Sequence, residues 1–210
     1  MSFFEPPPPP PDPPEVGPPS PAWVGPPDNV LPSPFALDLV LAHTDELALF
    51  VHSGAAYTHG FEFTLGLRQR RPPAENGHDP MLLWHPGRRR GFEEALRFGI
   101  AFADGRKATI FDAHAWRAGL EGASPPEIAL MQRGGGGGGT SWNFQFWAWP
   151  LPPEGPLAFV AEWPVKGVPL SRGEIDSAIV RDSAARAVTL WADEPPGHGS
   201  GGGTWTQFTK

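Results

Sequence analysis

The sequence predicts a mainly β protein: an antiparallel β-sandwich or open barrel of about seven to eight strands with one C-terminal helix. Two observations favour this class. Short runs of alternating apolar and polar residues are separated by turn residues, as in half-buried strands. Only one segment has helical spacing, whereas a parallel α/β architecture would need several crossover helices.

Proline and glycine divide the chain into three parts. The 210 residues include 29 Pro and 26 Gly, and 15 of the prolines fall in residues 1–34. We predict that 1–34 is a proline-rich acidic arm, extended or disordered, because the run Pro6 to Pro11 has to adopt polyproline II. The β-sandwich domain is predicted over 35–194, and a Gly-rich tail over 195–210.

Strands are predicted wherever apolar residues alternate or form a short continuous run. The predicted strands are 35–42, 47–52, 61–68, 98–102, 108–111, 142–149 and 157–163, with a short last strand near 188–191. Asp104-Gly105 predicts a hairpin whose three-residue loop has Gly105 left-handed, which pairs Ile100 with Ala108. We expect the strands 142–149 and 157–163 to be hairpin neighbours across the prolines between them.

The glycine run Gly134 to Gly139 is predicted to be a flexible loop or a packed glycine turn. It precedes Thr140-Ser141, which invites comparison with a phosphate-binding loop. Such a loop needs a Lys before the hydroxyl residue and a helix behind it. Here no Lys is present and a strand follows, so the run does not predict nucleotide binding.

One helix is predicted from about residue 172 to 187. Ser171 and Glu174 have the spacing of a capping box, and Leu170 with Ile175 has that of a hydrophobic staple. Acidic residues follow the expected start and arginines lie towards the expected end, the order that suits the helix dipole.

Charge and composition exclude several classes of function. The formal net charge is −7, so the chain lacks the basic surface that nucleic acids require. There are no Cys residues, which excludes disulfides and Cys-ligated metals. No apolar run is long enough to span a membrane and no signal peptide is present, so a cytoplasmic location is expected. No cofactor and no metal site are predicted, and the oligomeric state stays open.

The strand 142–149 carries the candidate ligand or peptide face. Nine Trp residues are unusual for a chain of this length, and one face of this strand presents Asn143, Gln145, Trp147 and Trp149. Aromatic rings stack on ligands and amides orient them, as in sugar-binding or peptide-binding sheets. The alternative is that this face lies under the helix or under the N-terminal arm.

The arm carries three candidate anchors, Phe3, Phe4 and Trp23, separated by stiff polyproline. Polyproline II loses little entropy when it docks, so we interpret the arm as a recognition segment. It would lie on an aromatic surface, either this domain's own Trp147/Trp149 face or the groove of a partner protein. The alternative is a solvated spacer.

Four segments resemble an uncharacterised family of actinobacterial proteins with no assigned activity. They are Met-Ser-Phe-Phe-Glu before the polyproline, FGIAFADGRK at 98–107, the glycine run at 134–139, and WPLPPEGPLAFVAEWP at 149–164. The resemblance covers almost the whole chain. It implies only a cytoplasmic bacterial setting and offers no catalytic residues to carry over to this chain. Of the 16 basic residues 13 are Arg, which fits a GC-rich genome.

The sequence therefore predicts a non-enzymatic interaction module whose arm docks in cis or on a partner protein. No nucleophile–base pair and no metal constellation is visible in the residue pattern. The alternative function is a small-molecule or carbohydrate-binding β-sandwich that uses the Trp147/Trp149 face.

Overall fold

A computed structural model describes residues 21–72, 94–112 and 125–192. These residues form eleven strands and one α-helix. The strands are β1 (Val30–Leu31), β2 (Ser33–His43), β3 (Leu47–Ala56), β4 (Phe61–Gln69), β5 (Arg97–Ala101), β6 (Lys107–Thr109), β7 (Ala129–Gly138), β8 (Ser141–Trp149), β9 (Pro156–Trp163), β10 (Val168–Asp176) and β11 (Val188–Thr189). The helix α1 is Ala178–Ala184, and a 3-10 turn covers Pro164–Lys166.

The described strands form three antiparallel sheets. A five-stranded sheet has the order β2-β3-β4-β8-β7, and a four-stranded sheet has the order β10-β9-β5-β6. Strands β1 and β11 make a separate two-stranded ribbon. The mainly β class, the antiparallel sandwich and the single helix are thereby confirmed.

Aromatic side chains from both large sheets meet in one core. The ring centroid of Phe63 on β4 lies 5.1 Å from that of Phe159 on β9 and 6.0 Å from that of Phe98 on β5. Phe146 on β8 lies 5.4 Å from Phe98. All four rings are buried. Because side chains alternate along a strand, the residues between these rings form the two outer faces of the sandwich.

The hairpin between β5 and β6 has the predicted register. Ile100 pairs with Ala108, and Gly105 has the left-handed φ of 89° that the turn requires. The expected pairing of 142–149 with 157–163 is wrong, because β8 pairs with β4 and β7 while β9 pairs with β5 and β10. The proline-rich connection instead carries the chain from one sheet to the other, since each strand has an apolar face that the shared core buries.

The helix starts later than the capping pattern indicates. Residues 172–187 were the expected helix, but α1 has only seven residues. Ser171 and Glu174 lie in β10, where they pair with β9. Leu170 is 70% exposed and therefore forms no hydrophobic staple. The ladder of hydrogen bonds to β9 outweighs the local capping pattern, as tertiary context often does.

The glycine run is a strand and not a loop. Gly134 to Gly138 form the second half of β7, at the edge of the five-stranded sheet. Gly135 pairs with Phe144 and Gly136 with Asn143. Glycine weakens a strand because it has no side chain to pack against its neighbours. Here the backbone pairing with β8 holds the glycines in a strand and sets their register.

The folded domain begins before the predicted boundary at residue 35. Trp23 and Val24 are 4% and 5% exposed, and β1 together with the start of β2 also precedes that boundary. Apolar residues among the prolines give this part of the expected arm a surface to bury. Residues 1–20 of the arm and the tail predicted over 195–210 lie outside the described residues.

Candidate functional site

The outer face of the five-stranded sheet carries the residues that the sequence singles out. On β8, Phe144 faces the core, so the alternation turns Asn143, Gln145, Trp147 and Trp149 to the outer face. The structure divides this face in two. The half near Trp147 is covered by an N-terminal segment, and the half near Asn143 is open.

The covering segment is 21–31, which we call the root of the arm. Trp23 and Val24 of the root are buried and belong to one hydrophobic cluster with Trp147. The other buried members of this cluster are Val30, Tyr57, Ala129 and Met131. The root therefore has a small core of its own, separate from the core between the sheets.

Two side chains of the sheet donate hydrogen bonds to backbone carbonyls of the root. The indole Nε1 of Trp147 donates to the carbonyl oxygen of Ala22 over 3.3 Å. The guanidinium Nη1 of Arg133 donates to the carbonyl oxygen of Val24 over 3.4 Å. Buried backbone oxygens need such partners, so these contacts stabilise the root beyond its apolar packing.

The far end of the root is held by the chain that follows α1. Val30 pairs with Thr189 in the two-stranded ribbon. Asn29 donates from its side-chain Nδ2 to the backbone carbonyl oxygen of Trp191 over 3.2 Å. The backbone carbonyl oxygen of Asn29 accepts from the backbone N–H of Leu190 over 2.7 Å. The root is thus held near both of its ends, at Ala22 and at Val30.

Trp147 is fully buried and offers no ring to a ligand. The rings of Tyr57 and His59 pack edge-on against it, with centroids at 5.5 and 5.8 Å. Trp149 is partly buried beside the same cluster. The prediction that Trp147 stacks on a ligand is therefore corrected: this half of the face lies under the arm, which was the stated alternative.

An acidic side chain lies next to the covered half. Tyr57 donates from its hydroxyl to Oε2 of Glu62 over 2.9 Å. Burial raises the pKa of Glu62 above its ordinary value, although the hydrogen bond from Tyr57 and the charge of Arg133 act in the opposite direction. Burial and the neighbouring Glu62 also raise the pKa of Tyr57. Glu62 is therefore easier to protonate in the folded chain than in the unfolded one.

The open half contains a cleft of about 400 Å³, which we call the polar cleft. It is lined by His52, Thr64, Gly135, Gly136, Asn143 and Gln145. Asn143 and Gln145, the two amides predicted for the ligand face, thus lie together at an accessible site. The described residues of the lining offer hydrogen-bond donors and acceptors and include no Lys, Arg, Asp or Glu.

Arg68 orients one of the two amides. Its Nη1 donates to Oδ1 of Asn143 over 3.1 Å and also to the carbonyl oxygens of Leu67 and Trp142. The guanidinium lies 5.2 Å from the centroid of the Phe50 ring. Since Oδ1 of Asn143 is engaged by Arg68, the amide nitrogen is the group that Asn143 has left for a ligand.

The sequence interpretation missed His52 and Thr64. Thr64 stands on the polar side of a strand that the alternation predicts well, and His52 lies within a continuous apolar run. Neither pattern tells which strands are neighbours. Only the order β3-β4-β8 places both residues beside Gln145. Phe3 and Phe4, the other predicted anchors, lie outside the described residues.

Comparisons with protein-family models, with curated proteins and with solved structures find no match. Within the described ranges, no helix has the length and apolar character needed to cross a membrane. The function therefore has to be inferred from the two halves of this sheet face.

Proposed function

We propose that the protein is a non-enzymatic interaction module that holds its proline-rich arm for a partner protein. The observation that supports this proposal is the burial of Trp23 against Trp147. Because the root is packed and hydrogen-bonded, the described chain is held in place from Ala22 onwards, directly after the part of the arm that we propose binds the partner. A flexible spacer has no need of such an attachment.

A partner protein fits the arm better than further docking in cis. Trp147 is the ring that would serve as the platform in cis, and Trp23 already covers it. Phe3 and Phe4 then have to find their aromatic surface elsewhere. Burying two Phe side chains contributes roughly 3–5 kcal/mol before ordering costs, which is enough to select a partner groove.

The composition of the arm indicates the chemistry of this partner. Polyproline II is preformed and docks in grooves lined by aromatic rings. Residues 1–34 contain four acidic residues, Glu5, Asp12, Glu15 and Asp28, and no basic one. The partner groove would accordingly be aromatic with Lys or Arg at its rim.

Affinity capture with three versions of the protein tests this proposal. They are the full chain, the chain without residues 1–20, and the Phe3→Ala/Phe4→Ala double variant. We expect a protein that the full chain retains and both variants lose. We also expect all three to have the same melting temperature, because the root is intact in each.

The melting temperature separates docking in trans from docking in cis. A clear fall on deleting residues 1–20 would show that the arm packs on its own domain, and the proposal would then be wrong. Capture that is unchanged by both variants would also contradict it. Trp191→Ala, which removes an exposed ring but keeps the backbone carbonyl that accepts from Asn29, is the matched control and should retain the partner.

A further inference from the structure

The polar cleft lies beyond the part of the face that the root covers. Thr64 pairs with His52 on one side and with Gln145 on the other, so three polar side chains stand in one row across β3, β4 and β8. Asn143 stands two residues from Gln145 and therefore on the same face. The volume of about 400 Å³ falls within the usual range of small-ligand sites.

The glycine strand keeps this cleft open. Gly136 is the partner of Asn143 across β7 and β8. A Cβ at Gly136 would meet no heavy atom within 4 Å, so a side chain here would project into free space at the cleft. The glycine run therefore leaves the outer face without the side chains that other strand residues would place beside the cleft.

The lining selects for a neutral ligand that both donates and accepts hydrogen bonds. The described residues at the cleft include no Lys, Arg, Asp or Glu. Arg68, which holds Asn143, already donates to three oxygens and lies against Phe50. A phosphate or carboxylate would need a cation of its own. Sugar hydroxyls match the hydroxyl of Thr64 and the amide of Gln145, which both donate and accept, and the amide nitrogen of Asn143, which donates.

The ring of Phe50 lies beside His52 on β3 and is not among the residues that line the cleft. Phe50 pairs with Gly66, and a Cβ at Gly66 would lie 2.5 Å from the Phe50 ring, so this ring lies over the glycine. Its centroid is 5.3 Å from that of His52. The guanidinium of Arg68 lies over the same ring, so Phe50 packs against Arg68 and His52 and supports the neighbouring cleft residues.

We propose that the polar cleft is a binding site for a neutral carbohydrate, a mono- or disaccharide. The amide of Asn143, the amide of Gln145 and the hydroxyl of Thr64 bind its hydroxyl groups. This site is independent of the arm and of the partner protein proposed above. It also differs from the face expected from the sequence, because neither Trp147 nor Trp149 lines it.

Binding of free sugars to the full chain tests this proposal. The probes are glucose, galactose, mannose, N-acetylglucosamine, maltose and lactose, measured by saturation-transfer NMR, with inorganic phosphate as the anionic comparison. We expect at least one sugar to bind with a Kd of about 1 mM or tighter. Asn143→Ala and Gln145→Ala should each weaken it roughly 3- to 10-fold, the effect of one hydrogen bond.

Two glycine variants on the same strand show whether the sugar binds in this cleft. Gly136→Val places a side chain in the opening and should weaken binding at least tenfold. Gly138→Val is the matched control, since a Cβ there also meets no atom within 4 Å and Gly138 does not line the cleft. Gly138→Val should bind like the unmodified chain.

Three results would overturn the proposal: no binding of any sugar, equal binding to Gly136→Val and Gly138→Val, or phosphate binding that sugars do not displace. If Gly136→Val does not fold, the sugar affinity of Gln145→Ala tests the site instead, because the exposed side chain of Gln145 is dispensable for packing. Unchanged sugar affinity in Gln145→Ala would then contradict the proposal.

Discussion

The indole Nε1 of Trp147 donates a hydrogen bond over 3.3 Å to the carbonyl oxygen of Ala22, a residue 125 positions away in sequence. This contact explains how a Trp on the outer face of a sheet is fully buried. The root of the arm supplies both the apolar cover and the acceptor that a buried indole N–H requires.

Trp23→Ala should lower the free energy of unfolding by about 3–5 kcal/mol, because it removes the largest side chain that the root buries. Urea unfolding of the full chain measures this change. Trp191→Ala is the control, since Trp191 is 54% exposed and its loss should change stability by no more than about 0.5 kcal/mol. Equal effects of the two variants would show that the root is not packed as described.

Gly60→Ala should destabilise the same region by about 1–3 kcal/mol. A Cβ at Gly60 would lie 2.4 Å from the ring of Trp147 and 2.7 Å from the carbonyl oxygen of Ala148, so both the ring and the backbone have to shift. Gly138→Ala is the matched control in open space and should be neutral or slightly stabilising. Thermal melts of both variants check the difference, and a melt of Gly60→Ala like that of the control would contradict it.

Glu62→Gln should raise the melting temperature at pH 8 and have little effect at pH 4. Burial raises the pKa of Glu62 in the folded chain, so its ionisation costs more there than in the unfolded chain. This cost is absent below the unfolded pKa and grows as the pH rises through the folded pKa. Gln is neutral at every pH and can still accept the hydrogen bond from Tyr57.

The check is a series of thermal melts of Glu62→Gln and the unmodified chain between these pH values. Glu154→Gln is a suitable control, because Glu154 lies outside the covered half of the face. The difference between Glu62→Gln and the unmodified chain should widen with increasing pH. A constant difference, or a lower melting temperature of Glu62→Gln at pH 8, would contradict the assignment of a buried carboxylate that opposes folding.

Alternation along single strands predicted much of the fold. It correctly assigned the core and outer faces of the strand at 142–149, and the turn at Gly105 correctly predicted the pairing of Ile100 with Ala108. Both features depend on residues close in sequence. Side chains alternate along a single strand, and the type of turn is set by the few residues that form it.

The features that depend on distant strands could not be predicted in this way. His52 and Thr64 join Gln145 only because β4 lies between β3 and β8, which no local pattern encodes. The glycine run adopts a strand because β8 pairs with it. The sequence predicted Trp23 as an anchor, but which half of the face it covers follows from the tertiary packing.

Ser177→Ala should lower the free energy of unfolding by about 1–3 kcal/mol, whereas Ser171→Ala should change it by no more than about 0.5 kcal/mol. Ser177 is fully buried and donates from Oγ to the carbonyl oxygen of Pro153 over 2.6 Å, so its loss leaves a buried acceptor without this partner. Ser171 lies in β10 and donates only to the carbonyl oxygen of Pro169, near the surface.

Ser171→Ala and Ser177→Ala, together with a third variant, Asp176→Ala, locate the start of α1. The N-cap residue Ser177 makes no side-chain capping bond, and the backbone N–H of Ala178 donates instead to Oδ1 of Asp176 over 2.9 Å, so the side chain that binds the first turn belongs to Asp176 and not to Ser171. Asp176→Ala should therefore cost about 1 kcal/mol. Urea unfolding of the three variants measures these changes. A larger loss for Ser171→Ala than for Ser177→Ala and Asp176→Ala would mean that the helix begins at the capping box after all.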